Sequence, residues 1–222
     1  MSLSTRRLVI IGGFTAMATA LVAPSVHART TELPRYEVVS THDGFELRRY
    51  APRIVAEVEV RGRSREATNA GFRVLADYIF GNNTARDSIA MTAPVDRRAS
   101  ETIDMTAPVD RRRSDEERWV ITFTMPRKYT LDTLPRPNDP RVKIQKLAPT
   151  HFAVVRFSGA PSDKRVQQRM DALATAIERA GLATAGKPPT YARYDPPWTL
   201  PVLRRNEILI ELKLDDDDDE RR

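Results

Sequence analysis

The sequence contains no cysteine and only three histidines in 222 residues. The first absence excludes disulfides, thiolate metal sites, cysteine nucleophiles, lipid modification at an N-terminal cysteine and thioether-linked cofactors. The second leaves His42 and His151 as the only candidates, because His27 falls in an N-terminal leader. No HExxH motif or paired His/Asp cluster occurs, so a protein-built transition-metal cage is not expected. Neither a P-loop nor a GxSxG elbow is present. A Ser/His/Asp triad can be assembled from distant residues, but two histidines and no nucleophile motif argue against hydrolysis, and a non-enzymatic binding protein is the expectation. Long hydrophobic runs are also missing. The longest, Leu8–Ala23, has sixteen residues, short of the roughly 20 that cross a bilayer as a helix.

That run reads instead as the core of a signal peptide over residues 1–28. Arg6-Arg7 supplies the positive start, and Val26-His27-Ala28 puts small residues at a cut after Ala28. Thr5-Arg6-Arg7-Leu8-Val9 also resembles a twin-arginine signal, which exports folded proteins. The expected location is periplasmic or secreted, with no stable membrane insertion after cleavage; an uncleaved anchor is the alternative. Residues 29–214 then form a single domain, and 215–222 an acidic, disordered tail. The net charge of +6 understates the domain. Arg6 and Arg7 leave with the leader, but six of the acids sit in the run Asp215–Glu220, so the folded part is basic. The arginine runs Arg97-Arg98 and Arg111–Arg113 are flanked by acids and lack interleaved aromatics. They read as solvated loop, not as a nucleic-acid surface.

Period-two alternation predicts strands at Tyr36–Thr41 and Phe45–Tyr50 about a His42-Asp43-Gly44 turn, and at Arg53–Arg61. Ser64 is expected to cap a helix to Phe80, with Ala67, Ala70, Gly71, Val74, Leu75, Tyr78 and Ile79 on one face. Ile89–Val95, IAMTAPV, has a near copy in Ile103–Val109, IDMTAPV. A fourteen-residue spacing is too short for a solenoid, so one copy is read as a short edge strand closed by proline and the other as a spare loop. Trp119–Pro126 is the best strand. After a Pro-rich connection, Val142–Leu147 and His151–Phe157 are strands, Ser162 or Asp163 opens a second helix to Ala180, and Thr190–Tyr194 and Glu207–Lys213 are the last strands. Each half reads strands, helix, strands. The fold class is α+β, a pseudo-twofold pair of such units with sheet on one side and helices on the other, sharing one core.

The MTAPV segments, WVITFTMP, LDTLPRPNDPRVKI, FELRRY at Phe45–Tyr50, Gly81–Asn83 and YDPPWTLPVLRRNEILIELK at Tyr194–Lys213 together resemble the SOUL/HEBP haem-binding family, over roughly Arg35 to Lys213. The resemblance implies a distorted antiparallel β-barrel or sheet with two long helices. It also implies non-covalent binding of haem or a related tetrapyrrole, for carriage or buffering; the leader adds the cell envelope as the place, and a monomer is expected. The alternative function is a module for other amphipathic small molecules, and a third reading is an enzyme acting on a tetrapyrrole.

The family's pocket lies between the first long helix and the loop joining the last two strands. Here those supply Phe72, Arg73 and Ala76, off the helix's main stripe, and Trp198, Leu200, Leu203 and Arg204 in the loop Asp195–Asn206. Apolar surface suits a macrocycle, and arginine suits its propionates. Packed loops use the same residues, so Trp198 either faces a ligand or caps the barrel. Some members carry a histidine within the FELRRY tract, where this chain has Arg49. Haem binding without a histidine ligand is therefore expected. His42 reads as a turn residue, His151 as a satisfied strand histidine, and Met91, Met105, Met125 and Met170 as packing residues rather than ligands.

Overall fold

The computed structural model describes residues 31–86 and 100–214. The leader, the first repeat copy with Asp96–Arg98, and the tail at 215–222 lie outside them. Two strands open the fold, β1 Tyr36–His42 and β2 Phe45–Tyr50, paired as a hairpin. Gly44 takes φ 89° in the tight turn, a conformation that favours glycine. β3 Arg53–Arg61 follows, then α1 Ser64–Ile79, a two-residue β4 at Asn83–Thr84, β5 Val109–Arg113 and β6 Arg118–Thr124. The second half holds β7 Arg136–Pro137, β8 Lys143–Leu147, β9 Thr150–Ser158 and α2 Asp163–Arg179. It ends in β10 Thr190–Arg193, a 3-10 turn at Pro201–Leu203 and β11 Arg205–Glu211. No helix among the described residues is long and apolar enough to cross a membrane.

Nine strands form one antiparallel sheet in the order β1-β2-β9-β11-β10-β5-β6-β3-β8, while β4 pairs with β7 apart from it. The order is symmetric about the β10–β5 junction. Outward from it run β5-β6-β3 with α1 and β10-β11-β9 with α2, and beyond them each half receives a strand of the other, β8 beside β3 and β2 beside β9. The sheet must curl. β2 and β3 stand six places apart, about 29 Å in a flat sheet. Only Ala51 and Pro52 join them, a link that reaches about 11 Å. The result is a half-barrel with both helices on its convex face.

Three packed clusters hold it, where the pattern suggested one shared core. Leu75, Tyr78 and Ile79 of α1 pack on Ala56, Val58, Ile121 and Phe123, and Val166, Leu173 and Ile177 of α2 on Ala153, Ile208 and Ile210. Tyr50, Phe152, Val154, Ala192 and Leu209 fill the inside of the curl. α1 lies close on the sheet because position 71 is glycine: a Cβ there would run into Ile121 and meet Val58 Cγ1 at 3.4 Å.

IDMTAPV is irregular chain up to Val109, which opens β5, and the other copy lies outside the described residues. Ile103 is fully buried against the end of α1, its N–H donating to Ile79 O at 2.8 Å, and Thr106 bridges to Glu32. Arg111–Arg113, read as solvated loop, instead belongs to β5 at the centre of the sheet. Ser64 does not cap α1; Arg63 holds that position with no side-chain bond, whereas Ser162 does cap α2 by accepting from Arg165 N–H.

Candidate functional site

The connection from β10 to β11 is a loop braced by hydrogen bonds within itself. Tyr194 N–H donates to Arg205 O at 3.2 Å, and Arg205 N–H to Asp195 Oδ2 at 2.6 Å, closing the base. Pro196, Pro197 and Pro201 bring no N–H groups to be satisfied. The remaining bonds are internal: Thr199 N–H to Pro196 O, Leu203 N–H to Leu200 O, and Arg204 N–H to Pro201 O. The Arg204 side chain donates from Nε to Thr199 O at 2.7 Å and from Nη2 to Pro197 O. Arg204 is thus a staple of the loop, with Nη1 left over. With the polar groups turned inward, the apolar ones stand out. Trp198 is 83% exposed, Val202 75%, Leu203 68% and Leu200 65%.

The α1 residues lie on the convex face. Phe72 is half-buried, edge-on to Phe123 with centroids 5.5 Å apart, so it belongs to the α1 core rather than off its apolar stripe. Ala76 is half-buried and Arg73 exposed. Phe123 pairs with Val109, and Val109 with Arg193, two residues before the loop begins. Two strand spacings separate Phe123 from Arg193, about 10 Å. α1 and the point where the loop leaves β10 are therefore at the same end of the sheet, with Val109 and Arg193 between them. No hydrogen bond or ring contact joins α1 to the loop among the described residues. Sequence reasoning missed Val202, which lies between two residues it chose, and Arg193, which alternation from Tyr191 places on this face.

Arg111 ties the two helix starts together. Its Nη1 donates to Ser64 Oγ and, at 3.4 Å, to Thr68 Oγ1; its Nη2 donates to Asp163 Oδ1 at 2.9 Å. The guanidinium sits over the rings of Tyr191 and Trp119, at 4.8 and 5.4 Å. Burial opposes the charge on Asp163, but the Arg111 and Ser64 bonds overcome this and hold its carboxyl below the ordinary range.

The inside of the curl is unexpectedly polar. Glu207 is fully buried and accepts from Tyr194 Oη at 2.6 Å, Arg205 Nη2 at 2.8 Å and Arg48 Nη1 at 3.1 Å. Arg205, the second loop arginine, is therefore spent on this face. Nearby, burial pushes the Asp110 carboxyl up to about 7, with the Arg53 charge pulling back, and Asp110 Oδ1 is shut off from solvent without a partner. Burial opposes the charge of Arg53, whose Nη1 likewise has no partner.

Neither histidine is on α1 or the loop. His42 stacks on Phe45 with centroids 4.7 Å apart, Nε2 lying 3.0 Å from Ser40 Oγ, and His151 is buried in β9. Met125 and Met170 pack in the cores, and Met105 is partly exposed. Among the described residues no three His, Cys, Asp or Glu side chains gather as a metal site. The loop and α1 thus offer a macrocycle apolar surface and cations, but no histidine for its iron.

The family model described as SOUL heme-binding protein matches residues 31–211. A search of curated proteins finds no relative. Among solved structures, the EcmrR C-terminal domain superposes with a TM-score of 0.55 at 11% identity, covering 80% of this chain and 98% of that one. A hydrolase from Listeria innocua gives 0.48 at 11% identity, covering 78% and 94%. At these identities the first likeness shows a shared fold.

Proposed function

Because the chain belongs to the SOUL heme-binding protein family over residues 31–211, we propose that it binds haem or a related tetrapyrrole non-covalently and without catalysis. The observation that carries this reading is the four large apolar side chains that the β10–β11 loop displays together. Contiguous exposed apolar clusters mark binding surfaces. A macrocycle laid on them, with α1 beside it, would cover Trp198, Leu200, Val202 and Leu203, and burial contributes about 25 cal/mol per Å². Arg73 and Arg193 supply the cations for propionates, and Arg204 holds the loop in shape. The leader's Arg6-Arg7 and apolar run support export, hence carriage or buffering in the cell envelope by a monomer.

A haem titration with optical detection tests this. Trp198→Ala should weaken binding by about 1–3 kcal/mol, the range for burying a large apolar side chain. Arg73→Glu, at an exposed position, should weaken haem but spare a propionate-esterified porphyrin. In a Trp119→Phe background, haem should quench Trp198 fluorescence. Unchanged affinity for both porphyrins in both variants would overturn the placement, and no Soret shift with the unaltered protein would overturn the tetrapyrrole reading itself.

A further inference from the structure

A cavity of about 490 Å³ opens where the β2–β3 link, the segment before β1 and the chain after β6 meet. Its walls are fixed by backbone. Ala51 N–H donates to Arg35 O at 3.0 Å, Ala107 N–H to Glu32 O at 3.0 Å, and Met125 N–H to Ile54 O at 2.8 Å. The volume lies in the range of small-molecule pockets. Its lining is mainly apolar but carries four basic residues against two acidic ones, Glu32 and Asp132. Glu32 is already paired, accepting from Arg127 N–H at 3.0 Å and lying 3.2 Å from Arg127 Nε. Asp132 is exposed at the rim.

The remaining positive charge has a focus. Arg53 lines the cavity, its guanidinium 5.2 Å from the Tyr50 ring and 5.9 Å from that of Phe152, and its Nη1 is buried with no hydrogen-bond partner among the described residues. A buried cation needs a counter-charge and filled donors. The charge of Asp110 acts on Arg53, but no hydrogen bond joins the two, so the Nη1 donor stays unfilled among the described residues. Leu33 and Leu131, among the more exposed large apolar side chains of the protein, both stand at this cavity.

We propose that this cavity is a second ligand site, for a small amphipathic monocarboxylate. Its head group pairs with Arg53, and its apolar body lies against Leu33, Ile54, Met125 and Leu131. Its lining shares no residue with the proposed tetrapyrrole surface at α1 and the β10–β11 loop.

The test uses the full-length protein and 11-(dansylamino)undecanoate as fluorescent probe. Its emission should intensify and shift to the blue on binding. Dodecanoate should displace it, and dodecylamine, with the opposite head charge, should not. Arg53→Met should weaken the probe tenfold to a hundredfold, as expected for loss of a charged hydrogen-bonded pair, and Arg53→Lys should recover part of that. Leu131→Glu alters only a half-exposed rim residue, so it tests the apolar wall even if Arg53→Met fails to fold. It should weaken the probe at least tenfold while leaving the haem titration unchanged. Absence of probe binding, equal displacement by dodecylamine, or full affinity in Leu131→Glu would overturn the proposal. Haem that displaces the probe and is itself weakened by Leu131→Glu would assign the cavity to the macrocycle, overturning the monocarboxylate and the loop surface together.

Discussion

Asp110→Asn should stabilise the protein, and by more at high pH than at low. The carboxylate lies inside the curl with Oδ1 cut off from solvent and unpartnered, and burial pushes its pKa up to about 7 against the pull of Arg53. In the unfolded chain the group titrates near 3.9. The folded pKa is the higher one, so between about pH 4 and 7 the folded state holds the proton more often. Stability then falls as pH rises through that window and levels off above it. At about 1.4 kcal/mol per unit, the penalty relative to a neutral isostere is about 1.5 kcal/mol at pH 5 and about 4 kcal/mol at pH 8. These are ceilings, because the rest of the side chain keeps some solvent contact. For a domain of this size 1 kcal/mol moves Tm by about 2–4 °C. The variant should therefore melt about 3–6 °C higher at pH 5 and about 8–16 °C higher at pH 8, read by circular dichroism. An advantage that is the same at both pH values, or a variant less stable at pH 8, would refute the argument.

Gly71→Ala should cost about 1–3 kcal/mol in urea unfolding, since the new methyl has to displace Ile121 or lift α1 off the sheet; the better helix propensity of alanine returns only about 1 kcal/mol, and a more stable variant would contradict the packing described. His42→Ala and His151→Ala should each change haem affinity less than tenfold, under 1.4 kcal/mol, because neither residue is on α1 or the loop. Loss of the Soret shift in either, with the fold intact by circular dichroism, would show a histidine ligand.

The regular elements were legible because each buries one face. RIVAEVEVR alternates, and it is a strand of the same limits, Arg53–Arg61. The stripe through Ala67, Gly71, Leu75 and Tyr78 is the buried side of α1. β5 was hidden because VDRRR shows no such alternation. Its convex side presents Arg111, whose charge is met by Ser64 and Asp163 from two helices far apart in sequence. Only pairing with WVITF across the short Ser114–Glu117 turn could have signalled it. The loop's apolar content was readable from its composition. The use of its arginines was not, since Arg204 bonds to carbonyls of its own loop and Arg205 to a glutamate on the opposite face of the sheet from the helices. The cavity draws on stretches near residues 32, 52, 126 and 146, and no local pattern announces a site so assembled.

The pseudo-twofold supplies an independent reason to look where these two surfaces lie. Equivalent connections in the two halves face the same closure problem, so a length beyond what one half needs is not demanded by the fold. β5 and β6 are joined by residues 114–117, and their equivalents β10 and β11 by residues 194–204. Four residues close the first hairpin; the eleven of the second hold Trp198, Leu200, Val202 and Leu203, all exposed. The same comparison falls on the helices. α2 reaches β10 through residues 180–189, whereas α1 reaches β5 through residues 80–108, and Thr106 of that longer stretch lines the cavity beside Arg53. Loops carry function on rigid scaffolds because they vary at little cost to the core. Both departures from the symmetry border a surface marked by exposure or charge, the longer hairpin at the proposed tetrapyrrole surface and the longer helix exit at the proposed carboxylate cavity.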